Sequence, residues 1–319
     1  MSPPSPPSPL LSQLTTSGFV IIPSFLSPAE LTTLRTASAA LISLSSSGHW
    51  PHVRTTGKQF PPWDPSLVPH SSGIWGVQHL LHPSLPLPQD QRDAFVRLYF
   101  SPKLLSLSRE ILSLPPNDDN NSDQGLVMEL FNLLCKPTDG KGFELSWHRD
   151  DIPASASAEE EMGGLHKPEE VYSHTQWNLP LYQDSSLILV PGSHVRPRTE
   201  EEREADLYEP ELEGQVVVDL RPGDLVFYDN NILHRGVYSG ERERVTLHGS
   251  VGRADAGEEG EGVRRRARNV LQHGVGGWVE QADFSCLGEG GEREVAEGMR
   301  RRLVEMGRVA GEVGYSLVG

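Results

Sequence analysis

The chain has 319 residues, with 28 Lys and Arg against 44 Asp and Glu, and the resulting net charge of −16 argues against nucleic acid and anionic membranes as partners. Hydrophobic residues make up 36% of it, and no stretch approaches the ~18 consecutive apolar residues of a membrane span. Cys135 and Cys286 are too few for a disulfide framework and point to a reducing, cytoplasmic setting, while 31 Gly and 26 Pro favour a turn-rich all-β or α+β chain over a helical bundle.

The opening MSPPSPPSP has neither the basic start nor the apolar run of a signal peptide, and residues 1–14 read as a disordered Pro/Ser-rich tail. Residues 15–319 read as one domain, with a helical and irregular part over 15–125, a β core over about 126–252 and a C-terminal extension over 253–319. GFVII at 18–22 is β-rich. Ser27, Pro28 and Glu30 then supply an N-cap, a first-turn proline and a capping-box glutamate for a helix to about Leu44. The Pro- and His-rich stretch over about 48–90 lacks periodicity, although its IWGVQHLL suggests order without regular structure. A second helix opens at Ser101-Pro102, with Leu104, Leu105, Ile111 and Leu112 at helical spacing, and stops before the polar PPNDDNNSDQ of 115–124.

From residue 126 the texture becomes short apolar or alternating runs: LVMELFNLLC, GFELSWH, TQWNLPLY, SLILV, QVVVDL, DLVFYD and RVTLHGS. Such spacing predicts an antiparallel sandwich or barrel. Further on, the basic VRRRAR of 263–268 directly follows the acidic GEEGEG of 257–262 and reads as a solvated mixed-charge segment. Val295, Met299, Leu303 and Met306 mark a final amphipathic helix.

Chemistry gathers in three of the runs. If FELSWHRD is a strand, Glu144, Ser146, His148 and Asp150 share one face and Phe143, Leu145 and Trp147 the other, so His148 and Asp150 can reach one metal ion. Two ligands do not make a site, and the best third is His234 in GDLVFYDNNILHRG, where a strand leads up to the histidine. Arg244, Thr246 and His248 alternate along RVTLHGS, and an arginine beside a hydroxyl can bind a carboxylate. Two histidines and one carboxylate are the donor set that holds Fe(II) with positions open for a 2-oxo acid and O₂.

Through HRD at 148–150, VPGSH at 190–194, GDLVFYDNNILHRG at 223–236 and RVT at 244–246, in that order, the sequence resembles the phytanoyl-CoA dioxygenase family of 2-oxoglutarate oxygenases. The resemblance runs from about residue 15 to 250. It implies a mainly β fold with flanking helices, a double-stranded β-helix of jelly-roll type with its metal at one mouth. It also implies that His148, Asp150 and His234 bind Fe(II), that Arg244 and Thr246 bind 2-oxoglutarate, and that Trp177 lies near this cosubstrate. The activity implied is that of a dioxygenase: O₂ and 2-oxoglutarate are consumed, succinate and CO₂ are released, and a small organic substrate is hydroxylated or otherwise oxidised. Asp150, where a halogenase needs a vacated ligand position, favours hydroxylation.

Two departures stand out. Where family members often have Asn-Gly, the chain has Asp184-Ser185-Ser186, read as altering a turn and not a ligand, and the polar insert over 152–174 is either a lid or a disordered excursion. His79, His82, His166, His174, His194 and His248 suit loop or supporting roles, and Arg242 is the next candidate should Arg244 not be the anchor. Serine hydrolysis lacks a GxSxG elbow, GEGG and GVGG do not sit as phosphate loops, and zinc lacks paired cysteines. Phytanoyl-CoA itself is disfavoured, because the chain offers neither a basic surface for CoA phosphates nor a terminal SKL, and a secondary metabolite or lipid-like acid is expected for a monomeric or weakly associating enzyme. Desaturation, epimerisation or ring formation on the same centre, and a jelly-roll binding protein without turnover, are the alternatives.

Overall fold

A computed structural model of the chain describes residues 7–61, 73–115, 125–167, 170–254, 266 and 269–310. Its frame is two antiparallel sheets, built from eleven strands among the described residues. In chain order these are β1 (Phe19–Ile22), β2 (Val53–Thr55), β3 (Ile74–Val77), β4 (Leu126–Cys135), β5 (Phe143–Glu144), β6 (His174–Pro180), β7 (Asp184–Leu189), β8 (Val216–Leu220), β9 (Leu225–Tyr228), β10 (His234–Tyr238) and β11 (Val245–Arg253). One sheet runs β1-β9-β6-β11-β4-β3-β2 and the other β5-β10-β7-β8. Leu187, Leu189, Val218 and Leu220 of the smaller sheet pack on Val226 and Tyr228 of the larger, so the inner faces form one jelly-roll sandwich.

The helices form because each begins on a residue that satisfies free backbone N–H groups. Ser8 caps α1 (Pro9–Ser17), Ser27 and Glu30 form a capping box on α2 (Pro28–Ser46), and Ser101 caps α4 (Pro102–Ile111). Between them, α3 (Gln89–Tyr99) starts after Pro88 and buries Phe95, Val96, Leu98 and Tyr99. Short α5 (Ala158–Gly164) and α6 (Glu200–Glu204) carry capping boxes of their own, and α7 (Gly291–Ala310) buries Val295, Ala296, Met299 and Leu303. One apolar cluster takes in residues from Leu14 through the strands to Leu303, so the N-terminal helices and the C-terminal extension share the core of the larger sheet.

Several expectations need correction. Residues 9–14 of the expected tail are helical, for Ser8, Pro9 and the left-handed Gly18 at its end specify α1 and Leu14 is buried, while residues 1–6 of that expectation lie outside those described. The irregular stretch over 48–90 contributes β2 and β3, which extend the larger sheet, while its residues 62–72 lie outside those described. His234 does not close a strand that leads up to it. β9 ends at Tyr228, Asp229 accepts the Asn231 N–H through its carboxylate at 2.7 Å in a tight turn, and the histidine opens β10.

Candidate active site

The metal-ligand candidates come together through backbone pairing. Past β5, His148 forms an isolated antiparallel bridge with His234: the His148 N–H donates to the His234 carbonyl at 3.0 Å, and the His148 carbonyl accepts the His234 N–H at 3.1 Å. Each imidazole then takes the same posture: Nδ1 of His148 reaches the Ser146 carbonyl at 2.7 Å, and Nδ1 of His234 the Ile232 carbonyl at 2.8 Å. A carbonyl only accepts, so Nδ1 carries the proton and Nε2 presents its lone pair. Both Nε2 atoms face Asp150 Oδ1, at 3.5 Å from His148 and 3.9 Å from His234, while Gln176 donates to Oδ2 at 2.7 Å. The three ligand atoms lie within 4.8 Å of one another, close enough to share one ion.

Electrostatics suit a cation. Burial disfavours charge on the Asp150 carboxyl, but hydrogen bonding and charge from His148 and His234 in their protonated forms, with the Gln176 hydrogen bond, outweigh it and hold the group well below the usual carboxylate range; with both imidazoles neutral, a bound cation takes over that stabilisation. Burial, reinforced by neighbouring His148, pushes His234 down to about 4, so it is a neutral ligand at physiological pH.

Strict alternation along FELSWHRD does not hold. Glu144 turns outward to pair with Arg235 at 3.4 Å, whereas Leu145 joins His148 and Asp150 in the cavity wall, because regular pairing of this strand stops at Glu144. Arg149, between the two ligands and fully buried, donates to the carbonyls of Ser193 at 2.8 Å, Arg196 at 3.1 Å and Asn231. Ser193 in turn accepts the Leu233 N–H at 2.7 Å through its hydroxyl. The PGSH turn therefore holds the approach to His234, and the buried His194 braces it by bonding the Thr15 carbonyl at 3.1 Å. That supporting network has no periodic signature in sequence.

The cavity around the triad measures about 440 Å³, and its wall includes Arg54, Phe60, Trp75, Tyr228, Tyr238 and His248. The Phe60 ring meets His148 edge-on at 4.9 Å. His248 does face the cavity, bonded to Asn178 at 2.8 Å. Two further segments contribute to the wall. In the insert, Pro153 and Ser155 line it, and the fully buried Glu161 of α5 is gripped by Arg149, Arg198 and Arg203, so its described part is a packed element and not an excursion. From the C-terminal extension, Asn269 donates to Asp151 at 2.6 Å and Arg266 to Glu129 at 2.7 Å, and both line the cavity. Arg266 belongs to the run read as solvated, and the burial of its partner Glu129 within β4 explains the difference.

Arg244 and Thr246 lie on one face at the start of β11, but both are engaged by Asp184. Asp184 is therefore more than a turn residue. Trp177 does not line the cavity: Gln176 and Asn178 do, so the strand turns Trp177 to the opposite face, where it is fully buried against Phe131 and the bare Gly249 backbone.

The fold has known counterparts. AviO1 from Streptomyces viridochromogenes superposes with a TM-score of 0.53 at 18% identity, over 78% of this chain and 96% of that one. HygX from Streptomyces hygroscopicus, with nickel and 2-oxoglutarate bound, gives 0.51 at 16% identity, over 78% and 88%. No curated protein matches the chain. The family model of phytanoyl-CoA dioxygenase (PhyH) matches residues 14–238, more than half of the chain. The protein therefore belongs to the phytanoyl-CoA dioxygenase family and is a non-haem iron, 2-oxoglutarate-dependent oxygenase.

Proposed function

We propose that the protein is a dioxygenase that hydroxylates or otherwise oxidises a small organic substrate, with succinate and CO₂ released from 2-oxoglutarate. The observation that carries this reading is the paired His148 and His234, whose Nε2 atoms face Asp150 Oδ1 with both tautomers fixed. In this reading those three residues hold Fe(II), which when bound supplies the oxidising chemistry. The chain keeps the Nε2 lone pairs free, leaves the opposite side open to the cavity, and restricts water by the α5 insert and the Asn269 segment. Arg244 is the anchor for the distal carboxylate of 2-oxoglutarate, for its Nη1 is buried without an acceptor among the described residues. That fit is incomplete on one side, where Asp184 already holds Nε.

A cavity of 440 Å³ that must also take the cosubstrate suits a metabolite-sized molecule and not a whole CoA thioester. Aromatic Phe60, Trp75, Tyr228 and Tyr238 among polar groups favour a partly apolar substrate. No described helix is long and apolar enough to cross a membrane, and a soluble, cytoplasmic enzyme acting as a monomer or weak oligomer is proposed from composition. Anaerobic titration with Fe(II) and then 2-oxoglutarate tests the reading. A visible charge-transfer band in wild type that is absent from His148→Ala supports it, followed by substrate-dependent succinate release. No band from a folded protein would favour a binding module.

A further inference from the structure

The two residues best suited to anchor the cosubstrate already hold a carboxylate of the chain itself. Asp184 opens β7, and its Oδ2 accepts from Arg244 Nε at 3.1 Å and from the Thr246 hydroxyl, while its Oδ1 accepts the Ser186 N–H at 2.8 Å. All three side chains are buried, Arg244 at 6%, Asp184 at 7% and Thr246 at 0% exposure. Burial opposes charge on Asp184, but Arg244 and the Ser186 and Thr246 hydrogen bonds prevail and keep its carboxyl below the usual range, so it is ionised. The guanidinium is not used up. Its carbon lies 4.1 Å from the Tyr238 ring centre, Arg244 lines the cavity, and Nη1 is buried with no acceptor among the described residues.

We propose that Asp184 determines which 2-oxo acid this site accepts: by occupying the Nε edge of Arg244 and the Thr246 hydroxyl, it leaves one guanidinium edge for the incoming acid and opposes a second negative charge there. The inference rests on the cosubstrate assignment above and deepens it. A guanidinium can satisfy two carboxylates at once, but two anions on one cation repel each other, and in a buried site water screens that repulsion poorly. A 2-oxo acid with a neutral, hydrogen-bonding end escapes the repulsion and still accepts from Nη1. Wild-type protein therefore binds 2-oxoglutarate no better than its neutral terminal amide, 2-oxoglutaramate, and removal of the Asp184 charge restores preference for the dianion.

Binding to the Fe(II)-loaded protein, followed anaerobically by the chelate band and by calorimetry, tests this without turnover. Asp184→Asn keeps the side-chain shape, and Asp184→Ala removes every contact to Arg244. The expected result is a tenfold or greater tightening of 2-oxoglutarate in Asp184→Asn, with 2-oxoglutaramate changed less than threefold. The wild-type comparison of the two acids needs no variant. Preference of wild type for 2-oxoglutarate over the amide by tenfold or more would overturn the proposal, and so would weaker 2-oxoglutarate binding in both variants, which would make Asp184 a residue that only orients Arg244. Absence of a chelate with either acid, in wild type and variants alike, would instead overturn the cosubstrate assignment and the proposal with it.

Discussion

Replacing Glu161 with glutamine is expected to destabilise the protein sharply and to loosen the metal site, although Glu161 touches no ligand. Its carboxylate is fully buried and faces three guanidinium groups, with side-chain exposures of 0% for Arg149, 5% for Arg198 and 29% for Arg203. It also accepts the Arg198 N–H at 2.7 Å. Removing one partner of a buried pair costs about 3–5 kcal/mol, because the opposite charge stays in a low dielectric without compensation. Glutamine keeps the shape and one acceptor, which places Glu161→Gln near 3 kcal/mol, and Glu161→Ala adds a cavity and belongs at or above ~5 kcal/mol. Such losses are a large fraction of the ~5–15 kcal/mol that stabilises an ordinary domain. Arg149 lies between His148 and Asp150 in sequence, so the same change should weaken metal binding. Urea unfolding of metal-free protein, with Fe(II) affinity measured in parallel, checks both. The control is Glu170→Gln, whose pair with Lys167 is half-exposed on both sides and should contribute nothing measurable. A midpoint for Glu161→Gln equal to that of the control would refute the argument.

Three further expectations follow from the site. His148→Ala and Asp150→Ala should abolish Fe(II) binding while the melting temperature of metal-free protein changes little, since the His148 to His234 bridge is made by backbone atoms; loss of the folded state in either would show a structural role. Trp177→Phe should cost ~1–3 kcal/mol through a core void yet leave the 2-oxoglutarate dissociation constant unchanged, and a shifted constant at unchanged stability would return the residue to the site. Asp229 is buried, and its carboxyl is pushed up from 3.8 to about 7, mainly by loss of water. Because the folded protein keeps that proton while the unfolded chain releases it, stability falls as pH rises from about 4 to 7. Asp229→Asn removes the difference, so its advantage over wild type should widen between pH 5 and pH 8 by about 2–3 kcal/mol, at ~1.4 kcal/mol per unit, and parallel unfolding profiles would refute it.

Strand positions in the core were legible because apolar runs and turn residues are local properties. The runs from LVMELFNLLC to RVTLHGS all contribute strands, and the Ser27 and Ser101 caps start helices where the sequence places them. Three of the missed elements, β2, β3 and α1, share one cause. β2 and β3 are three- and four-residue strands that exist only as additions to the edge of the larger sheet, and α1 is stabilised by Leu14 in a core built from distant residues. None of that context is local.

The sequence by itself determined the donor set: two histidines and one aspartate in motifs whose order marks the family, with an arginine and a threonine on one strand for a carboxylate. Only the tertiary structure decided how they are used. Cross-strand pairing joins His148 to His234, and a three-residue connection between β6 and β7 delivers Asp184 to Arg244. The phase of β6 sends Trp177 into the core while Gln176 holds Asp150, and a glutamate in a polar insert neutralises the arginine between two ligands. Side-chain chemistry is written residue by residue, but charge pairing and burial depend on what the rest of the chain brings alongside.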